Sequence, residues 1–273
     1  MRTSFVESVL SDLLDDGVVT PSDSILTVCA GSGERDLFAR LEFTDVLITN
    51  LDDRIPDGDP FDPFAWKRCD AQDLKLPDDS FDFAFVADGL HHCSSPHRAL
   101  LEMYRVARKG LIVVESRDNL LMRIAARAGL TPEYEVEAVV DNEFRWGGVD
   151  NTSIPNYIYR WTESEFKKTI NSFNPAGRHR FRFFYGLNLP FEQAKMKKSS
   201  AKLHAIRVAE PLVKGFTGLF RKQRNTLAMV ALKPRVPHDL WPWLTTSRGA
   251  IEPDRDYARA HFRSAAGPDH PQT

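Results

Sequence analysis

Residues 24–33, Ser-Ile-Leu-Thr-Val-Cys-Ala-Gly-Ser-Gly, constrain the fold more than any other stretch of the chain. An apolar run rich in β-branched residues follows Pro21, Ser22 and Asp23, and this predicts a buried strand. Gly31-Ser32-Gly33 then turns the chain into Glu34–Leu41, where Leu37, Phe38 and Leu41 share one helical face. Strand, glycine turn and helix in that order form a corner of an open α/β sheet, and such sheets hold ligands beyond the carboxyl ends of their strands. Glycine lets the backbone approach a ligand with no side chain in between.

The following segments repeat the pattern. Residues 4–16 predict an amphipathic helix with a Ser4/Glu7 capping box, an apolar face from Phe5 to Leu14, and a stop at Gly17. Apolar runs at 45–51, 81–87 and 111–115 predict strands, Trp66 to Asp70 reads as a short further strand, and Ser95-Pro96 starts a helix to Arg108. Such alternation predicts a parallel sheet covered by helices on both faces. Further on, 119–128 reads as a helix and 130–160 as irregular and aromatic-rich. Thr162 and Glu165 form a second capping box, with Trp161 and Phe166 as its hydrophobic staple, so a helix to Phe173 follows. Strands at 180–185 and 226–232 flank a basic insertion. Within it Pro211 is placed to begin a helix whose Leu212, Val213, Phe216, Leu219 and Phe220 share a face. That helix reads first as a cover over the sheet edge, and second as a basic amphipathic segment for an anionic membrane.

Charge is unevenly spread. Residues 1–100 hold 20 acidic against 8 basic side chains, whereas residues 188–224 hold 9 basic against 2 acidic. Nucleic acid is not expected as a partner, since no RNA-binding module accompanies the basic segment. Cys29, Cys69 and Cys93 have no zinc-like spacing and are read as reduced thiols, so no metal is expected. The reading has no secretory leader and no apolar run of transmembrane length, which places the protein in the cytoplasm, with association at a membrane surface left open.

The glycine turn discriminates among ligands. A dinucleotide fingerprint requires a third glycine where Asp36 stands, and Glu34 and Asp36 at the helix start would oppose a pyrophosphate. No Gly-Lys-Ser/Thr follows, which excludes a P-loop. A nucleoside-like ligand without phosphates fits better, and the sulfonium of S-adenosylmethionine suits an acidic surrounding.

Two longer stretches carry a resemblance. Asp70-Ala71-Gln72-Asp73-Leu74-Lys75-Leu76-Pro77-Asp78-Asp79-Ser80-Phe81-Asp82 and Asp88-Gly89-Leu90-His91-His92, followed by Ala99 to Gly110 with its Glu102 and Arg105-Val106, resemble the class I S-adenosylmethionine-dependent methyltransferases of the small-molecule branch. The resemblance covers residues 24–116. It implies a Rossmann-like, doubly wound, mostly parallel sheet with a terminal antiparallel hairpin, in three α/β/α layers. The domain would span 1–233, with a lid at 117–160 and a basic helical insertion at 188–224. A partly disordered tail would follow at 234–273.

The implied function is methyl transfer from S-adenosylmethionine to a small or lipid-linked acceptor, at oxygen in this reading. The resemblance places Cys29, Ala30, Gly31, Ser32 and Gly33 around the methionine moiety, and Asn50, Leu51 and Asp52 at the ribose. It places Asp70, Ala71 and Gln72 at the adenine and Ala87 and Asp88 on the floor. Three positions depart from the family's pattern: Thr27 replaces an acid, Cys29 a glycine and Asn50 an acid. His92 and His91 are candidate general bases, because imidazole titrates near neutral pH, or else they cap and pack. Arg145, Trp146, Tyr157 and Arg160 are candidate substrate residues in the irregular segment. Two alternatives stay open at this point: a non-catalytic relative that binds a partner or membrane through 188–224, and a nicotinamide-dependent oxidoreductase.

Overall fold

Successive side chains of a strand point to opposite faces, so a strand that is apolar throughout needs a hydrophobic layer on each side. The computed structural model, which describes residues 2–52, 54, 61–189 and 200–262, shows two such layers. The strands β1 (Ile25–Thr27), β2 (Val46–Asn50), β3 (Ala65–Arg68), β4 (Phe81–Ala87), β5 (Ala107–Ser116), β6 (Arg180–Gly186) and β7 (Thr226–Leu232) make one sheet in the order β3-β2-β1-β4-β5-β7-β6. The first five run parallel, while β7 is antiparallel to both β5 and β6. This is the expected doubly wound sheet with its terminal antiparallel hairpin.

One face carries Ile25, Phe83, Phe85, Ile112 and Val114, packed against α1 (Arg2–Asp15) and α2 (Ser32–Arg40) through Leu10, Leu13 and Phe38. The other carries Leu26, Ala84, Val86, Leu111 and Val113, packed against α3 (Pro96–Val106) and α6 (Glu163–Phe173) through Leu100, Met103, Phe166 and Ile170. Alternate residues of β4 and β5 thus feed separate cores. Burying each such side chain contributes on the order of 1.5–3 kcal/mol, before the entropy of ordering the chain is subtracted.

The Ser95 and Thr162 caps hold in geometry, whereas α1 begins at Arg2, so Ser4 lies within the helix and does not cap it with Glu7 as expected. The Ser95 hydroxyl accepts from Arg98 N–H at 3.4 Å with Pro96 in the first turn, and Thr162 Oγ1 accepts from Glu165 N–H at 3.2 Å. Trp161 and Phe166 are both fully buried in one core cluster, as a staple requires. Arg105 is structural: it donates to the Leu74 and Leu76 carbonyls and pairs with Glu102. Asp82 is structural too, held well below the carboxylate range, at about 2: burial would raise it, but the Arg108 hydrogen bond and Lys109 outweigh that.

Several boundaries differ from the sequence reading. The α3 helix ends at Val106, and β5 begins at Ala107 because that residue pairs with Phe81 of β4. The lid contains α4 (Leu120–Arg127) and α5 (Val136–Asp141), so 130–160 is not irregular throughout. Pro211 lies inside α7 (Ser200–Leu219) rather than at its start. A proline there removes one i−4 hydrogen bond, which a long helix tolerates as a local loss. On α7, Val208, Leu212, Phe216 and Leu219 stand exposed, so the helix does not lay its apolar side over the sheet edge. Where a partly disordered tail was expected, Leu244–Ser247 (β8) and Ala250–Pro253 (β9) form a hairpin, followed by α8 (Arg255–Phe262). The 190–199 part of the basic insertion, Asp53 and residues 263–273 lie outside the described residues.

Candidate active site

The carboxyl ends of β1, β2 and β4 open into one cleft of about 740 Å³, its mouth included. Its sheet-side wall is formed by Cys29, Asn50, Leu51, Asp52, Cys69, Asp70, Ala71, Gln72 and Asp88. The lid supplies Gly147, Gly148, Asp150 and Asn151, and the turn after β4 supplies His92 and Cys93. Of the expected cofactor residues, Ala30, Gly31, Ser32, Gly33 and Ala87 do not line the cleft, whereas the other eight do.

The backbone explains this division. Neither Gly31 nor Gly33 has a left-handed φ, and a Cβ added to either would meet no atom within 4 Å. Their small size is demanded neither by the backbone of the turn nor by a close protein neighbour. The left-handed residue is Cys29, at φ 52°, the position at which the resembled family has a glycine. A Cβ on Gly89 would lie 2.5 Å from the Cys29 Cβ, so the cysteine's packing requires a glycine opposite it. Asp88 on the floor also adopts a positive φ, 54°, which costs on the order of 1 kcal/mol or more in a non-glycine residue.

The other two departures have a structural account. Thr27 is fully buried, and its hydroxyl donates to the Leu47 carbonyl. Asn50 spends both ends of its amide on the chain: Nδ2 donates to the Ala30 carbonyl at 3.0 Å, and Oδ1 accepts from Asp52 N–H at 3.0 Å. The carboxylate at the end of β2 is therefore that of Asp52. Arg54 hydrogen-bonds it, and these bonds lower its pKa despite burial, the largest single effect, which works in the raising direction. The Arg54 guanidinium also lies 3.4 Å from the Trp146 ring centroid, tying the sheet side to the lid.

A second tie runs through Gln72 and Asp150. Gln72 Nε2 donates to Asp150 Oδ1 at 2.9 Å, and the same oxygen accepts from Ser94 N–H at 2.9 Å. Gln72 Oε1 accepts from Ser95 N–H and from the Ser94 hydroxyl. With Asp52, Asp70, Asp88 and Asp150 around it, the cleft is rich in negative charge, and Cys93 remains a thiol because a hydrogen bond with Cys29 and burial both push its pKa up. Such a lining favours a cationic ligand and gives no grip to a pyrophosphate.

The two histidines follow β4 in a short 3₁₀ turn, Leu90–His92. His91 is buried, and its Nδ1 meets Glu115 Oε2 at 2.7 Å, while Leu90 N–H donates to Glu115 Oε1. Burial alone would lower the His91 pKa, but the Glu115 and Glu135 carboxylates outweigh it and raise it to about 10. His92 is shifted down, by burial first and by the neighbouring His91 charge second. Only His92 reaches the cleft. Glu135, at the start of α5, is held down to about 2, chiefly by its hydrogen bond with His91.

The expected substrate residues do not line the cleft. Trp146 donates from Nε1 to Asn142, Arg145 pairs with Glu143, Tyr157 packs edge-on to Tyr134, and Arg160 donates to the Pro132 carbonyl. The lining residues missed by sequence reasoning are Cys69, Cys93, Gly147, Gly148, Asp150 and Asn151. The Gly147-Gly148 pair was the one legible signal for this part of the lid.

Comparison with known proteins agrees with the geometry. Residues 33–114 match the methyltransferase domain family. A demethylmenaquinone methyltransferase of Chlamydia muridarum is 32% identical over 93 residues, which cover 32% of this chain and 41% of that protein. A ubiquinone/menaquinone biosynthesis C-methyltransferase of Bordetella avium is 34% identical over 110 residues, or 36% of this chain and 42% of that protein. The chain thus spans less than half the length of these relatives. Among solved structures, the YcgJ protein from Bacillus subtilis superposes with a TM-score of 0.50 at 14% identity, over 83% of this chain and 98% of that one, a likeness of fold.

Proposed function

We propose that this chain, a class I S-adenosylmethionine-dependent methyltransferase by its domain at 33–114 and its sheet topology, transfers a methyl group to a small acceptor whose nucleophile must lose a proton. The observation that carries this reading is the acidic cleft at the β1, β2 and β4 ends, reached by the imidazole of His92. S-adenosylmethionine supplies the activated methyl group. Asp52, Asp70, Ala71 and Gln72 would hold its nucleoside end, Cys29 and Asp88 its charged end, and the space beside Gly31 and Gly33 stays clear.

The chain's own contribution is chiefly positional. The lid excludes water and keeps nucleophile and methyl group at attack distance, which can supply a large part of a rate enhancement. His92, kept neutral by burial and by the His91 charge, accepts the acceptor's proton. His91, protonated between two carboxylates, acts on His92 through its charge and is a positioning residue. A hydroxyl oxygen remains the proposed nucleophile. The relatives named as C-methyltransferases favour a second reading, a ring carbon activated by loss of an adjacent hydroxyl proton, which uses the same base.

A lipid-linked acceptor is supported by the exposed apolar side chains of α7, with Lys214, Arg221 and Lys222 beside them. No helix among the described residues is long and apolar enough to cross a membrane, so any contact of these helices would be peripheral. The test is calorimetric titration with S-adenosylmethionine, S-adenosylhomocysteine and NADH, against Gly31→Arg as control. Micromolar binding of the first two, lost in the variant, is the expected result. Binding of NADH alone would replace the reading with an oxidoreductase. No binding of any of the three would replace it with a non-catalytic relative that acts through the 188–224 segment.

A further inference from the structure

His91 Nε2 lies 3.4 Å and His92 Nε2 3.3 Å from the same oxygen of Glu135. The three ligating atoms all fall within 4.8 Å of one another. A tetrahedral ion with bonds of about 2.0–2.1 Å separates its ligand atoms by about 3.3 Å. Two imidazole nitrogens and one carboxylate oxygen are also a ligand set that suits zinc, with one position left open. From this arrangement we propose that His91, His92 and Glu135 form a binding site for a divalent transition metal of the zinc class, joining the lid to the sheet at the edge of the cleft.

The surrounding contacts are those of a metal site. A ligating histidine commonly gives its other ring nitrogen to a carboxylate or a carbonyl, which fixes the ring and points the second nitrogen at the ion. His91 gives Nδ1 to Glu115, a fully buried carboxylate itself held by Leu90 N–H. The His92 ring and Gly148 of the lid line the same cleft. Asn156, also buried, donates from Nδ2 to the ligating Glu135 oxygen at 3.2 Å. His91 and Glu135 therefore each carry an outer partner, and the two imidazole rings are tilted 33° to one another with centroids 4.6 Å apart.

Charge balance points the same way. Glu115, fully buried, and Glu135, partly exposed, bring two negative charges, which the protonated His91 balances in part in the metal-free protein. A divalent ion between neutral imidazoles neutralises both. An alternative grouping of Asp88, His91 and Glu115 would use His91 Nδ1, the nitrogen already engaged by Glu115, so the Nε2 side is the site. Metal ligation and proton acceptance would draw on the same His92 lone pair. The two roles belong to different states of the protein, metal-loaded and metal-free, and the metal site does not depend on the methyl-transfer reading.

The experiment uses the full chain without an affinity tag, stripped by chelator and then titrated with zinc against a chromophoric chelator. One zinc per chain is expected, together with a zinc-dependent rise in the thermal midpoint. Glu135→Gln and His92→Asn should each abolish stoichiometric binding and, against each variant's own metal-free midpoint, the zinc-dependent rise, while keeping the circular dichroism of the parent. Cobalt in place of zinc should show ligand-field bands with no thiolate charge transfer. Absence of a stoichiometric site, unchanged binding in both variants, or a thiolate band that disappears in Cys93→Ser would each overturn the proposal.

Discussion

The two walls of the cleft are held by different forces. On the sheet side, Cys29, Asn50, Asp70 and Asp88 follow strands whose parallel register is fixed by backbone hydrogen bonds and two apolar cores. On the lid side, Gly147, Gly148, Asp150 and Asn151 are held by a few side-chain bonds: Gln72 and Ser94 on Asp150, Arg54 on Trp146, and the histidines on Glu135. Loss of one contact changes a core very little, because dozens of contacts remain. The same loss at a polar tie removes a large fraction of what keeps the lid in place. The sheet wall should therefore fail globally or not at all, and the lid wall should fail locally.

The comparison is broken hardest at Glu115, where the two walls meet. Glu115→Ala leaves the buried His91 charge without its main partner, and such losses cost about 3–5 kcal/mol. Urea unfolding should show a drop of that size across the whole chain. Next comes Gly31→Arg, which fills open space beside the sheet wall and displaces no protein atom. Affinity for S-adenosylmethionine should fall by roughly 100-fold or more, about 2.7 kcal/mol, with little change in midpoint. A large loss of stability instead would mean that the glycine turn is a folding element first.

Asp150→Ala sharpens the contrast at smaller size, since it strips the acceptor from Ser94 N–H and the Gln72 amide. A cost of about 1–3 kcal/mol is expected, confined to the lid. Hydrogen exchange should quicken at 147–151 and stay unchanged in β1 and β4, and equal quickening in both would dissolve the distinction. A further contrast is in pH. His91 is raised from 6.5 to about 10, so in metal-free protein its stabilisation is full below pH 6.5 and fades as pH climbs through about 10. Glu135 is lowered from 4.5 to about 2, so its share is full above pH 4.5 and is lost on acidification through about 2. Stability relative to Glu115→Gln should be greatest between about pH 4.5 and 6.5 and should narrow towards pH 10, read by denaturant midpoints at fixed ionic strength.

Much of the sheet side was legible because its signals are local. The β-branched run before Gly31, the Ser95-Pro96 cap, the Thr162 cap and the apolar run at 226–232 each act over a few residues, and the structure places each element within a few residues of its reading. The candidate substrate residues lie outside the cleft lining for the opposite reason. Trp146 and Arg145 look like a pocket in sequence, yet Asn142, Glu143 and Arg54 hold them in the lid's own framework. Asp150 carried no mark in sequence, since its partners lie 56 and 78 residues away.

The sequence by itself determined the alternation of strands and helices, the two-faced burial of the sheet and the acidic, phosphate-averse corner at 24–36, because these follow from periodicity, backbone preference and local charge. Only the tertiary structure decided that Cys29 carries the left-handed turn, that Asn50 is spent on the backbone, that His92 faces the cleft while His91 does not, and that Glu135 meets both rings. Each of those depends on which distant segment the chain brings against a side chain. No local pattern encodes that, because burial and charge at such a point come from neighbours that the fold alone assembles.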